Sequence, residues 1–75
     1  MNIILHTHHN IELSLELGYF DSVAEIKAKI QSHVGISTTR QSLLLNNTHQ
    51  LHDDSDIERS NLLDRSHVHV EKLTY

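Results

Sequence analysis
The first seventeen residues carry two successive alternations of apolar and polar positions. Met1, Ile3 and Leu5 fall on one side, with Asn2, Ile4 and His6 on the other. Ile11, Leu13, Leu15 and Leu17 then alternate with Glu12, Ser14 and Glu16. A period of two is what a strand with one buried face requires. Between the two runs lies Thr7-His8-His9-Asn10, and Asn tolerates the positive φ of a tight turn. The pattern predicts a β-hairpin with His8 and His9 in its turn. After Asp21 the period changes. Val23, Ile26, Ile30 and Val34 recur at steps of three and four, which puts them on one stripe of a helix. Ser22 and Glu25 have the spacing of a capping box, and Gly35 suits the left-handed position just past a helix end. A helix over 22–35 is predicted.

The polar stretch Ser37–Ser42 gives way to a short predicted strand at Leu43-Leu44-Leu45, followed by Asn46-Asn47 as turn residues. Gln50-Leu51 reads as a short edge strand. Ser55 and Asp56 are candidate caps for a one-turn helix around Ile57. The last segment alternates again, with Val68 and Val70 on one face and His67, His69 and Glu71 on the other. One helix with a single apolar stripe must bury it against one face of a sheet, so the fold class is α+β: a small roll forming one domain over residues 1–75.

Composition narrows the function. Seventy-five residues support only a modest core. With no Cys, disulfides and thiolate zinc sites are excluded; this fits a reducing compartment, and the expected location is the cytoplasm or nucleus. No apolar run is long enough to span a bilayer, and the start lacks the pattern of a signal peptide. Six Lys and Arg against ten Asp and Glu give a formal charge of −4, which argues against nucleic acid as partner. Eight histidines modify that charge: with free imidazole at about 6.5, half-protonating all of them adds roughly +4. Asp53-Asp54-Ser55-Asp56 starts like a calcium loop but lacks the Gly and closing Glu. No nucleophile elbow or oxyanion motif is present, so an enzyme is not expected.

Several residues together resemble the ubiquitin family. Lys27-Ala28-Lys29-Ile30-Gln31 stands in the family's helix register, followed by Gly35-Ile36 and by Gln41 before the Leu43 strand. Met1, Ile3, Thr7, Leu15, Glu16 and Asp21 match without a gap. After Leu45 one extra residue enters the Asn46–His49 turn; Gln50-Leu51, Asp53, Asn61, Ser66 and His69 then match again. The resemblance implies a ubiquitin-like β-grasp roll: a mixed sheet, first and last strands parallel neighbours, packed on one helix plus a short helical turn. It also implies that Lys27 is largely buried and paired with Asp53, as a buried ammonium must be.

By the same resemblance, the family's apolar binding face falls at His8, Leu44, His69 and Glu71. Leu44 keeps the central apolar anchor, while His8 and Glu71 replace apolar groups. Ser42, His49 and Leu73 stand where the family carries basic rim residues. Of the family's linkage lysines, Lys27 and Lys29 remain, and Ser60 replaces a tyrosine that braces the short helix. The chain ends Lys72-Leu73-Thr74-Tyr75 in place of an arginine-bearing tail with a terminal diglycine, so as given it is expected not to be conjugated.

Alternation puts His6 on the outer face of the first strand and His67 and His69 on that of the last; if those strands are neighbours, the rings converge near Leu44. Imidazoles so gathered have the chemistry to ligate Zn²⁺, Cu²⁺ or Ni²⁺. A structural zinc site, however, takes four ligands and ordered supporting partners, which an open sheet face does not obviously supply. A pH-tuned binding face is a second reading. The expectation is a solvated polar face with no metal and no cofactor, on a domain that folds without either. The function expected is a non-catalytic, monomeric protein-interaction domain, the amino-terminal module of a larger protein. It would present His6, His8, Leu44, His49, His69 and Glu71 to a protein partner, of the ubiquitin pathway or the proteasome with altered specificity, and not to a membrane. The alternative is a modifier precursor conjugated after processing of a further tail.

Overall fold
In the computed structural model, residues 1–7, 11–46, 49–57 and 62–73 are described. Strands β1 (Asn2–His6) and β2 (Glu12–Glu16) form the predicted hairpin, antiparallel, with Asn2 opposite Glu16 and His6 opposite Glu12. Thr7 N–H closes it on the Ile11 carbonyl at 2.9 Å; the turn itself, residues 8–10, lies outside the described residues. Alternation decides which side is buried. Ile3, Leu5, Leu15 and Leu17 are sealed in the core, but Leu13 is half-buried and Ile11 is 50% exposed. The apolar pattern therefore runs on past the end of the core.

Helix α1 (Val23–Val34) starts and stops where its end signals stand. Ser22 Oγ accepts from the Glu25 amide at 3.1 Å and the Glu25 carboxylate accepts from the Ser22 amide at 3.4 Å. This satisfies donors that a helix start leaves unpaired. Gly35, at φ 78°, donates to the Gln31 carbonyl and ends the helix. Val23, Ile26 and Ile30 are fully buried against the sheet.

The remaining strands are β3 (Gln41–Leu45), β4 (His49–Gln50) and β5 (His67–Lys72). A 3-10 turn at Thr38–Arg40 precedes β3. The sheet order is β2-β1-β5-β3-β4, with β5 parallel to β1 and antiparallel to β3. β3 is longer than the apolar triplet predicts because Gln41 belongs to it. The buried Gln41 side chain donates to the Lys27 carbonyl (2.8 Å) in the middle of α1 and the Ile36 carbonyl (2.9 Å) just past it, so a polar residue is accommodated in the strand by bonding to the helix and the loop that follows it. The edge strand lies one residue earlier than expected, and Leu51, buried, adds one more bond to Leu43 at 2.8 Å.

Two ion pairs tie α1 to its surroundings. Lys27 is buried, and its Nζ reaches Asp53 Oδ1 at 2.5 Å. Lys29 Nζ contacts Asp21 Oδ2 at 2.6 Å. That hydrogen bond from Lys29, helped by the Gly18 amide, holds the Asp21 carboxyl below its usual range against the opposing effect of burial. The start of α1 is also pinned by Val23 N–H to the Ser55 carbonyl and by Ile57 N–H to the Asp21 carbonyl. Ser22 and Asp56 form an isolated bridge. Of the one-turn helix predicted around Ile57, residues 58–61, Ser60 among them, lie outside the described residues. No helix is long and apolar enough to cross a membrane among the described residues.

Candidate functional site
The sheet has one face under α1 and one face open, and strand register determines what meets on the open one. His6 is opposite Glu12 on β2 and His69 on β5; His69 is opposite Leu44 on β3; Leu44 is opposite Gln50 on β4. Residues directly opposite share a side of the sheet. One row, Glu12–His6–His69–Leu44–Gln50, therefore crosses all five strands. A second row runs Ser14–Ile4–His67. Farther along β5, Glu71 stands opposite Ser42 and is exposed.

Of the predicted site residues, His6, Leu44, His69 and Glu71 thus share the open face. His8 and the terminal Tyr75 lie outside the described residues. His49 does not join the face. It is opposite Leu45, whose side chain is buried in the core, so His49 sits at the sheet edge on the helix side, and Gln50 takes the place beside Leu44. Ile4 and Leu44 share the face, but β5 runs between them. The apolar groups flank the imidazoles and do not form a single patch. Glu12, Gln50 and His67 also belong to this surface. The alternation of each strand held that information, but only the pairing register brings them to it.

The three imidazoles touch. His6 Nε2 and His67 Nδ1 are 2.6 Å apart. Their centroids are 4.9 Å apart and their planes differ by 20°. Two imidazoles reach that separation with that nitrogen contact only when they meet edge to edge in nearly one plane. One nitrogen carries the proton and donates, and the other accepts through its lone pair. His6 and His69 are related differently: their planes are within 14° and their centroids 4.7 Å apart. That is the spacing of neighbouring strands, about 4.7–4.9 Å, as expected for side chains standing in parallel from paired residues. Behind His6, Glu12 Oε1 lies 3.6 Å from Nδ1. This is within ion-pair range and longer than a direct hydrogen bond. His69 Nδ1 is shut off from solvent and has no hydrogen-bond partner among the described residues.

The face therefore offers Leu44 and Ile4 as half-buried apolar groups, a contiguous imidazole cluster, and two carboxylates, Glu12 beside His6 on β2 and Glu71 two residues beyond His69 on β5. Among the described residues, no three or more His, Asp or Glu side chains are gathered so as to hold a metal ion. Away from this face, the most exposed large apolar side chain among the described residues is Phe20, 97% exposed in the turn before α1; sequence patterning had no signal for it.

No curated protein matches the chain. The family model described as the ubiquitin family matches it over residues 3–73, from the second residue of β1 to just past β5. The matched span includes the parallel β1–β5 pairing, the single capped helix and the buried Lys27 with its Asp53 partner. On these grounds the chain belongs to the ubiquitin family.

Proposed function
We propose that this domain is a non-catalytic protein-interaction module whose docking surface is the open sheet face centred on His69. The observation that carries the reading is the row of cross-strand partners from Glu12 to Gln50, in which an imidazole pair separates the apolar anchor Leu44 from a carboxylate. A leucine bounded by hydrogen-bonding rings and by Glu71 suits a partner that offers an apolar side chain with basic or hydrogen-bonding neighbours. It suits a purely apolar stripe poorly, because Glu71 would have to shed water without gaining a partner. That desolvation costs about 1–3 kcal/mol.

The test is a titration of the isotopically labelled domain with an amphipathic ubiquitin-interacting helix, following backbone amides. The native domain should bind weakly, with shifts centred on Leu44, His69 and Gln50. Glu71→Val should tighten binding about tenfold, the equivalent of about 1.4 kcal/mol. Micromolar affinity of the native domain, or shifts confined to another surface, would count against the reading.

A further inference from the structure
The contact between His6 and His67 supports a second role for the open face, one that stands whether or not a protein docks there. We propose that His6 Nε2 and His67 Nδ1 form an exchangeable two-histidine chelate for a borderline transition-metal dication such as Cu²⁺, Ni²⁺ or Zn²⁺.

Four observations lead to it. The two nitrogens already face each other at 2.6 Å, so their in-plane lone-pair directions share one small region. Tetrahedral zinc, with bonds of about 2.0–2.1 Å, holds its ligand nitrogens about 3.3 Å apart. Converting the hydrogen-bonded pair to a chelate therefore needs the nitrogens to part by less than about 1 Å and each ring to turn by roughly 35°, so that lone pairs now aimed at each other meet at the ion. The rings also lie at the surface, His67 exposed and the His6 side chain 23% exposed, so an ion can enter and the rings can turn without moving a strand. Third, Glu12 stands behind His6 at 3.6 Å from Nδ1. A carboxylate there favours by its charge the tautomer with its proton on Nδ1, which leaves Nε2 with the free lone pair; a small closing of the 3.6 Å gap would give the hydrogen-bonded carboxylate that commonly supports metal-bound histidines. In that tautomer His67 donates its Nδ1 proton to His6. On binding, His67 moves that proton to its own Nε2, and the neutral pair loses no proton. Finally, the strands that carry the two rings are locked side by side, with Ile4 opposite His67 and His6 opposite His69, so the backbone holds the ligands together before any ion arrives.

The groups around the pair bear on its charge. Glu12 comes from β2, His69 lies against His6 at 4.7 Å, Glu71 follows on β5, and β3 contributes Leu44 and Ser42. The carboxylates favour a bound dication. No third ligand converges on the pair among the described residues, so the proposed chelate takes two nitrogens from these residues.

The experiment is calorimetric titration of the whole chain with copper, nickel and zinc chlorides at about pH 7.5, repeated at about pH 5.5, below the ~6.5 of free imidazole. The expected result is one ion per chain, with Cu²⁺ tightest, weakened at the lower pH because only neutral imidazole ligates. His6→Gln and His67→Gln should each weaken binding tenfold or more, while His49→Gln, on the other side of the sheet edge, should leave it unchanged. Thermal unfolding of the metal-free variants checks that each is folded. Equal uptake by the His6→Gln/His67→Gln double variant, or loss of binding in His49→Gln, would overturn the assignment and show scattered adventitious uptake.

Discussion
The two faces of the sheet are built from the same strands and the same alternation, yet they are held by different physics. On the inner face, Ile3, Leu5, Leu43, Leu45, Val68 and Val70 pack against Val23, Ile26 and Ile30, and all are at most 8% exposed. On the outer face the intervening positions carry Ile4, His6, His67, His69, Ser42, Leu44 and Glu71. Burial of the inner set removes apolar surface from water, a non-directional gain that tolerates many apolar residues of similar size. The outer set gains little from burial. What matters there is which side chain stands opposite which, because a hydrogen bond between two imidazoles requires one arrangement of donor and acceptor. Single residue changes should therefore act on stability at one face and on recognition at the other.

The sharpest way to break that comparison is to change neighbours in β3. Leu43→Ala removes a fully buried side chain and should cost about 3 kcal/mol. Leu44→Ala, the next residue but on the outer face, should cost less than about 1 kcal/mol. Urea denaturation of both variants measures the contrast; equal losses would show that the outer face is also structural. Next in size is the ion pair beneath the helix. Asp53→Ala leaves the Lys27 ammonium buried without its partner and should cost about 1–2 kcal/mol, a figure reduced because the Asp53 side chain is 65% exposed. Lys27→Met removes the charge and keeps the volume, so it should cost less than Asp53→Ala. The reverse order would mean that the pair itself stabilises the fold.

The chain ends of α1 give smaller effects. Gly35→Ala meets no atom within 4 Å of the added Cβ, so its cost, about 1 kcal/mol, is the left-handed backbone alone. At the other end, Asp21 makes stability depend on acid. Its carboxyl is lowered in the folded state by Lys29, so its contribution is complete above the unfolded value of about 3.9 and is lost as pH falls through the lower folded value. Asp21→Asn should lower stability by a constant amount at neutral and alkaline pH, leave it unchanged at the acid end, and so flatten the acid limb of a stability–pH profile. The smallest change expected is a gain. Arg65 holds a φ of 66°, a conformation unfavourable for a side chain, and Arg65→Gly should stabilise by about 0.5 kcal/mol or less, read as a shift in urea midpoint.

Much of this was legible in particular residues. Ser22, Glu25 and Gly35 marked both ends of α1, and the period-two runs assigned Ile3, Leu5, Leu15, Val68 and Val70 to the core. Both signals are local, since caps and alternation act over a few residues. Gln41 was harder. Its place in β3 rests on bonds to carbonyls five and fourteen residues away, which no local pattern encodes. Arg65 in a left-handed turn, with its amide on the Asn2 carbonyl, had no sequence signal either.

The open face divides along the same line. Alternation by itself determined that His6, His67 and His69 point away from the core; Leu44, inside an apolar triplet, was placed there only by the resemblance to the family. Tertiary structure alone decided that His6 meets His67 edge to edge and lies flat against His69, that Glu12 stands behind His6, and that Gln50, not His49, lies beside Leu44. The reason is that a strand's periodicity specifies a side, whereas the neighbour across the gap depends on strand order and register. A shift of one residue in β4 exchanges His49 for Gln50 on that side.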